Sequence, residues 1–435
     1  MRVIPRLKRE QLEIIKKKKG VDNLWSYSKA STFKQCTWLY FLKYVEKIRV
    51  KEDSCYTHFG SIAHDIIQGF YDGESNYDEM IDRFNEEVIK WEIEDNPSLK
   101  FPSDNVRDGY IENLRHYFLN VHTVPFNVTN EEPILVTFEG KDKYVFQGYL
   151  DSEYIDDDGN LVILAYKTSS INGFSGKNLL EKAEQLMTYA LGVIQNGRLF
   201  DGEMKKFTVD KIKIRYDMMK YCNITFVQKN GKKKTMKAER RSWVGHLSNQ
   251  LRKDLEDVSK QIEKLEKEIS KLNRKANMKK TTPEEAEGYM IEIGGIESEI
   301  NNLKQYDMDV VEINDLISNS CNMNTLELFP QFIQDKYTID NCYIDVSLTD
   351  EDIEEFKSKM TTRLDDIIEK SEEEDKEKAF DRSPIDNSDS FYCTNLCDMK
   401  DHCKFYKEYK EHNAMFLDKK NAPSDEDLLA MLGLS

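Results

Sequence analysis

Hydrophobic and polar positions follow two periods along this chain. Residues 25–50, "WSYSKASTFKQCTWLYFLKYVEKIRV", space Trp38, Phe41 and Tyr44 at helical intervals and predict one helix, capped by Ser28 or Ser31. "HFGSIAHDIIQGFYDG" predicts the start of another, and helical patterning continues through residues 75–122. The period then changes to two. "PILVTFEG", "KYVFQGYLDSEYI" and "NLVILAYKT" predict strands, the second ending at Asp151 ahead of a "DDDGN" turn. "GKNLLEKAEQLMTYALGVIQNG" predicts an amphipathic helix closed at Gly197. Two further strands are expected in "VDKIKIRYDMMKY" and "NITFVQKNGKKKTMKAERR", the latter folded back at Asn230-Gly231.

Beyond residue 245 the pattern becomes a heptad seam. Leu251, Leu255, Val258, Ile262, Leu265, Ile269 and Leu272 follow steps of four and three among Glu and Lys. After a break at "NMKKTTPEE" the seam resumes through Tyr289, Ile293, Ile296, Ile300 and Leu303. This predicts an antiparallel coiled-coil hairpin inserted into an α/β core, since strand-like "NCYIDVSL" and helical "DEDIEEFKSKMTTRLDDIIEK" follow it. The expected division is a helical region and core over 1–240, the hairpin over 241–306, the rest of the core with a cysteine segment over 307–410, and a tail over 411–435.

Composition narrows the partners. The 435 residues are 39% hydrophobic and 33% charged, with a formal net charge of -17. No apolar run approaches bilayer length, and the basic first twenty residues lack an apolar stretch. A cytoplasmic location, in a bacterial cell or a phage-infected host, is expected, with no membrane partner. The net charge disfavours indiscriminate nucleic-acid binding, but sign is local. Residues 229–241 hold Lys229, Lys232, Lys233, Lys234, Lys237, Arg240 and Arg241 against one acid. They are candidates for DNA-backbone contact. Of eight cysteines, Cys393, Cys397 and Cys403 cluster, which points to a metal rather than to disulfides.

The candidate chemistry lies in "GYLDSEYIDDDGNLVILAYKTSS". Phosphodiester hydrolysis with Mg²⁺ or Mn²⁺ needs hard oxygen ligands and a nearby cation. Asp151 supplies a carboxylate. Residue 165 should supply another, with Lys167 two positions on along the same strand face and the Tyr166 carbonyl between them. Position 165 is alanine.

"GYLD" followed thirteen residues later by "AYKTSS" resembles the PD-(D/E)xK nuclease motif in its RecB-like form. "GSIAHDIIQGFY" is similar to the family's upstream histidine motif and "QLMTYALGV" to its Q-x-x-x-Y motif. The resemblance covers about residues 28–195. It implies a restriction-endonuclease-like α/β core, a central mixed sheet flanked by helices. It implies metal ligands at His64, Asp151, residue 165 and the Tyr166 carbonyl, a catalytic Lys167, and substrate contacts from Gln185 and Tyr189. Cys36 with Cys393, Cys397 and Cys403 resembles the split cysteine motif of iron–sulfur nucleases, such as AddB-type subunits and CRISPR-adaptation nucleases. It implies a [4Fe–4S] cluster, with Zn²⁺ as the chemical alternative and a C-terminal clasp as its structural result.

The function expected is a metal-dependent deoxyribonuclease, acting on DNA ends or single strands in recombination, repair or replication, of phage origin in one version. Three roles are open for the hairpin: docking a helicase, a recombinase or another protein, dimerising, or bracing a DNA strand. Ala165 marks the chain as inactive or severely impaired. Engineering is favoured over natural decay because the other motif residues stand. Two alternatives are a non-catalytic DNA-binding or assembly subunit and a CRISPR-adaptation-like processing nuclease.

Overall fold

The computed structural model describes residues 6–50, 54–176, 178–200, 202–228, 230–386 and 388–421, with backbone alone for 414–421. Lys229 and the "DEDLLAMLGLS" end lie outside the described residues. The helices are α1 (Arg9–Lys19), α2 (Tyr27–Gln35), α3 (Thr37–Tyr40), α4 (Cys55–Tyr71), α5 (Glu79–Glu94), α6 (Asp104–Asn120) and α7 (Asn178–Asn196). They continue with α8 (Ser248–Ala276), α9 (Pro283–Lys304), α10 (Val310–Met323), α11 (Gln331–Gln334), α12 (Asp350–Glu372), α13 (Lys376–Ala379), α14 (Ser390–Asn395) and α15 (Lys404–Asn421). The strands are β1 (Leu24–Trp25), β2 (Thr129–Glu139), β3 (Lys143–Ile155), β4 (Leu161–Lys167), β5 (Arg198–Phe200), β6 (Glu203–Lys205), β7 (Ile212–Val227), β8 (Lys233–Glu239) and β9 (Tyr337–Ser347). The fold is mixed α/β, with a central mixed sheet flanked by helices.

Two compact units share the chain. The first takes residues 1–104, 124–217 and 343–435. Within it β2 lies antiparallel to β3 from Thr129↔Glu153 to Glu139↔Lys143, and β1 adds a parallel edge at Leu24↔Val145. β4 runs antiparallel to β3 from Ser152↔Leu164 to Ile155↔Leu161 and has β7 as its other neighbour. All residues of β4 except Lys167 are buried, as expected of a strand covered on both faces. α7 crosses this sheet at close range. A Cβ on Gly192 would meet Ile134 Cγ1 at 2.7 Å and Val136 Cγ2 at 2.8 Å, so only glycine allows that approach. Gly197 ends α7 in the left-handed region, with φ 75°.

The single helix expected over residues 25–50 is instead broken. Cys36 adopts an extended backbone (φ -165°, ψ 120°), ends α2, and its sulfur accepts the Leu39 N–H at 3.4 Å to cap α3. A π-turn over Phe41–Val45 follows. Ser26, not Ser28 or Ser31, caps α2 through the Lys29 N–H at 3.2 Å. Aromatic periodicity survives a one-residue break, so the pattern could not reveal it.

The second unit takes residues 105–123 and 218–342. Its core joins Ile224, Phe226, Trp243, Leu251, Leu255, Ile313 and Ile333. Where two strands were expected over 209–241, β7 runs unbroken to Val227 and β8 returns after the turn, with Gly231 at φ 78°. α8 and α9 pack through Val258, Ile262, Ile300 and Leu303, with Leu265, Ile269 and Ile296 half-buried beside them. Thr282 caps α9 in a capping box with Glu285, and Pro283 occupies the first turn.

Candidate active site

The site lies in the first unit, where α4 and α7 meet β2, β3 and β4. Ser54 starts α4 by accepting the Thr57 N–H at 3.2 Å. Three turns on, His64 Nε2 lies 3.0 Å from the Tyr166 carbonyl oxygen, and the two rings meet edge to face at 5.8 Å. One turn further, Gln68 Nε2 donates to the Asp151 carbonyl at 3.3 Å. One helix thus touches both strands that carry the motif.

Asp151 does not end its strand, since β3 continues to Ile155. The distinctive feature at this point is on the neighbouring strand. Glu131 of β2 has φ 50°, between the pairs Asn130↔Ser152 and Glu132↔Leu150. In a regular strand Asn130 and Glu132 would share a face. Here Asn130 donates to Asp72, the residue that follows α4, at 2.9 Å, whereas Glu132 turns to Arg198 at 3.8 Å. The left-handed residue re-aims the side chains beside Asp151, as bulge-like irregularities near sites commonly do.

The β3–β4 register pairs Ser152 with Leu164. One step further it sets Asp151 opposite Ala165, with Lys167 two residues on and on the same face. Ala165 is wholly buried, and its methyl group offers no ligand. Lys167 Nζ sits 5.8 Å from the centre of the Tyr216 ring. Burial, then the charge of Tyr27, then that of Asp151 push the Tyr216 hydroxyl upward. Tyr216 therefore sits within electrostatic reach of both Lys167 and Asp151. On α7, Gln185 Nε2 donates to Tyr189 Oη at 3.1 Å. Tyr189 is raised by burial first and is also influenced by Asp151 and Glu131. Its ring lies so near Gly148 that a Cβ there would fall 2.6 Å from Cε1.

His64, Asp151, Tyr166, Gln185 and Tyr189 are therefore brought to one neighbourhood, and Lys167 joins them through Tyr216. Gln68 was missed in the sequence, although its place one helical turn beyond His64 was the signal that could have found it. Tyr216 was not legible, because it comes from a strand remote in sequence, and Glu131 was not, because a left-handed non-glycine residue inside a strand leaves no sequence signal. Asp151 and the Tyr166 carbonyl are hard oxygen donors, and with the His64 imidazole they suit Mg²⁺ or Mn²⁺. Among the described residues, no three His, Cys, Asp or Glu side chains converge closely enough to hold an ion.

A roomier cavity of about 960 Å³ lies elsewhere in this unit, beside Glu184. Burial would raise that carboxylate, but Arg363 at 3.1 Å and Lys34 at 3.0 Å hold it below its usual range. Glu184 is held by these two cations, which brace α7 next to Gln185.

The four cysteines singled out in the sequence line one small cavity of the first unit, with Arg382 and Tyr392. All are free thiols, and burial pushes Cys397 up to about 11. Four sulfurs are the donor chemistry of an iron–sulfur cluster or of zinc, though no three of these side chains converge closely enough to hold a single ion.

In the second unit Lys232, Lys233, Lys234 and Lys237 are exposed along the β7–β8 ribbon. Arg241 is exposed too, and its Nε donates to Glu239 at 3.0 Å. Arg240 does not belong to that basic surface. It is wholly buried, donating to the Tyr221 carbonyl at 2.9 Å and to Asn341 Oδ1 at 3.2 Å, with its guanidinium over Tyr117. Its place at the start of a 3₁₀ turn swings it inward, which a count of basic residues cannot foresee.

The family model for the PD-(D/E)XK nuclease superfamily matches residues 24–287. No curated protein matches the chain. No helix among the described residues is long and apolar enough to cross a membrane.

Proposed function

The chain belongs to the PD-(D/E)XK nuclease superfamily, and we propose that its site is that of a metal-dependent deoxyribonuclease acting on DNA ends or single strands in recombination, repair or replication. The observation that carries this reading is the meeting of His64 with the Tyr166 carbonyl, beside a register that sets Asp151 opposite residue 165. His64, Asp151 and the Tyr166 carbonyl would hold Mg²⁺ or Mn²⁺, joined in an active parent by a carboxylate at 165. When bound, the ion supplies a water of lowered pKa and positive charge for the developing phosphorane oxygens. Lys167, whose Nζ lies over the Tyr216 ring, would stand beside the attacked phosphate. Gln185 orients the Tyr189 hydroxyl toward substrate. The exposed lysines of the β7–β8 ribbon are assigned to the DNA backbone, and Cys36, Cys393, Cys397 and Cys403 to a [4Fe–4S] cluster.

With Ala165 the chain binds DNA and cleaves it poorly. Ala165→Asp is expected to restore Mg²⁺- or Mn²⁺-dependent cleavage of end-labelled single- or double-stranded DNA by at least about a hundredfold, the order of one electrostatic contributor. The same variant places a carboxylate in a fully buried position. Its melting temperature should therefore fall in EDTA and recover with Mn²⁺, where the parent chain responds less. Equal cleavage by both proteins, or an Ala165→Asp protein indifferent to the ion in both assays, would overturn the proposal. Ala165 itself favours a second reading, a DNA-binding assembly subunit that keeps the fold without hydrolysis. Tight DNA binding by Ala165→Asp with no cleavage would select it.

A further inference from the structure

Arg382 and Lys400 both line the cysteine cavity; Lys400 donates to the Thr394 carbonyl at 3.2 Å, whereas Arg382 donates to sulfur. Arg382 follows α13 in the first unit, far in sequence from Cys36. Its Nη1 lies 3.6 Å from Cys36 Sγ and 3.7 Å from Cys393 Sγ, so one NH₂ group donates to a sulfur from each end of the chain. Its Nη2 donates to Asp389, and Nε donates to the Ser383 carbonyl at 2.8 Å. The guanidinium is therefore fixed on three sides, with little freedom to leave. Its side chain is 15% exposed, and Phe405 lies beneath it with 5.9 Å to the ring centre.

Thiolates gathered in such a place carry more negative charge than the metal they bind neutralises. A buried counter-charge and donated hydrogen bonds are two ways a protein lowers that cost, and both tune the reduction potential of an iron–sulfur centre. Arg382 offers both from one group. Asp389 opposes it, since an acid paired with the guanidinium cancels part of its field.

We propose that Arg382 is a positioning residue for the cysteine-bound centre: it ties Cys36 to Cys393 and sets the centre's charge and potential, with Asp389 as the opposing control. The proposal rests on the cluster reading of these cysteines. It goes further by naming a group outside the ligand set and the direction in which it acts.

The test uses the full chain purified without oxygen. Iron content, the absorbance near 400 nm, the midpoint potential and the rate of bleaching by an iron chelator are measured for the parent, Arg382→Gln, Arg382→Lys and Asp389→Asn. Arg382→Gln is expected to bleach about tenfold faster, as outer-shell losses commonly do, and to shift the potential negative, because an electron then enters a site with less positive charge. Asp389→Asn should shift it positive. Arg382→Lys, which keeps the charge, should stay near the parent. If Arg382→Gln binds no iron, the opposite displacements fall to Asp389→Asn and Arg382→Lys alone: a positive shift in the first and a parent-like second uphold the role. Shifts of the same sign in Arg382→Gln and Asp389→Asn, or none in either, overturn it, as a purely mechanical clasp would give. A colourless parent containing stoichiometric zinc would instead remove the cluster reading beneath it, leaving the two failures distinguishable.

Discussion

A methyl group at position 165 is at home where a carboxylate would not be. The strand around it is buried almost throughout, and an unpaired charge there would cost several kcal/mol. A cation is what makes an acid tolerable at such a point, so the residue that an active enzyme needs is also the residue most costly to keep without metal. Elsewhere a buried ring poses the same question with the opposite charge. His116, in the second unit, is held down to about 4 by burial, with the charge of Arg240 adding to the effect. Its Nδ1 is buried without a hydrogen-bond partner. The folded chain keeps this ring neutral, while the unfolded chain takes up a proton near 6.5. The stability at stake is therefore fully present above 6.5 and drains away as pH falls from 6.5 toward 4, up to about 3 kcal/mol in all. His116→Phe should accordingly lose less stability than the parent between pH 7 and pH 4.5 in urea unfolding followed by fluorescence. Equal losses would mean that other groups set the acid sensitivity.

At the scale of elements, the β7–β8 ribbon is the part whose role charge alone suggests. Lys233 and Lys234 stand across from Val227 and Phe226, and Lys237 across from Asn223. Replacing Lys232, Lys233, Lys234 and Lys237 with Gln should flatten the dependence of single-stranded DNA affinity on salt. If all four meet phosphates, the log–log slope falls by roughly 3, at about 0.7 per contact on a single strand. An unchanged slope would identify a merely solvated ribbon. The elements that build the site were the most legible in sequence, because β2 alternates along its second half, β4 is a continuous apolar run bounded by turn residues, and α7 has one apolar face ending in glycine. What was lost were local departures from pattern. The extended Cys36 cuts a helix whose aromatic spacing continues across the break. Glu131 turns left-handed inside a strand without being glycine, and nothing in its neighbours announces it. Arg240 belongs to a basic run by composition and to a core by geometry. Tyr216 stands beside Lys167 only because the sheet order places β7 next to β4, a fact of topology rather than of spacing.

At the scale of the whole molecule, the first unit is assembled from three separate stretches of chain, 1–104, 124–217 and 343–435. Such a unit closes long loops in the chain, and cross-links between remote segments are where closure entropy can be recovered. Cys36 belongs to the first stretch, and Cys393, Cys397 and Cys403 to the third. A metal centre held by all four would act as such a cross-link and would stabilise this unit through its binding free energy. The second unit has its own core and none of these ligands. Removing the centre, by chelation or by Cys36→Ser, should then speed hydrogen exchange in α2, α3 and α14 while leaving the amides of β8 and α10 unchanged. Exchange that rises equally in both units would mean that the chain unfolds as one cooperative body. Exchange unaltered around Cys36 would mean that the aromatic packing of Trp38 on Phe41 and Phe405 holds the two ends together without a metal.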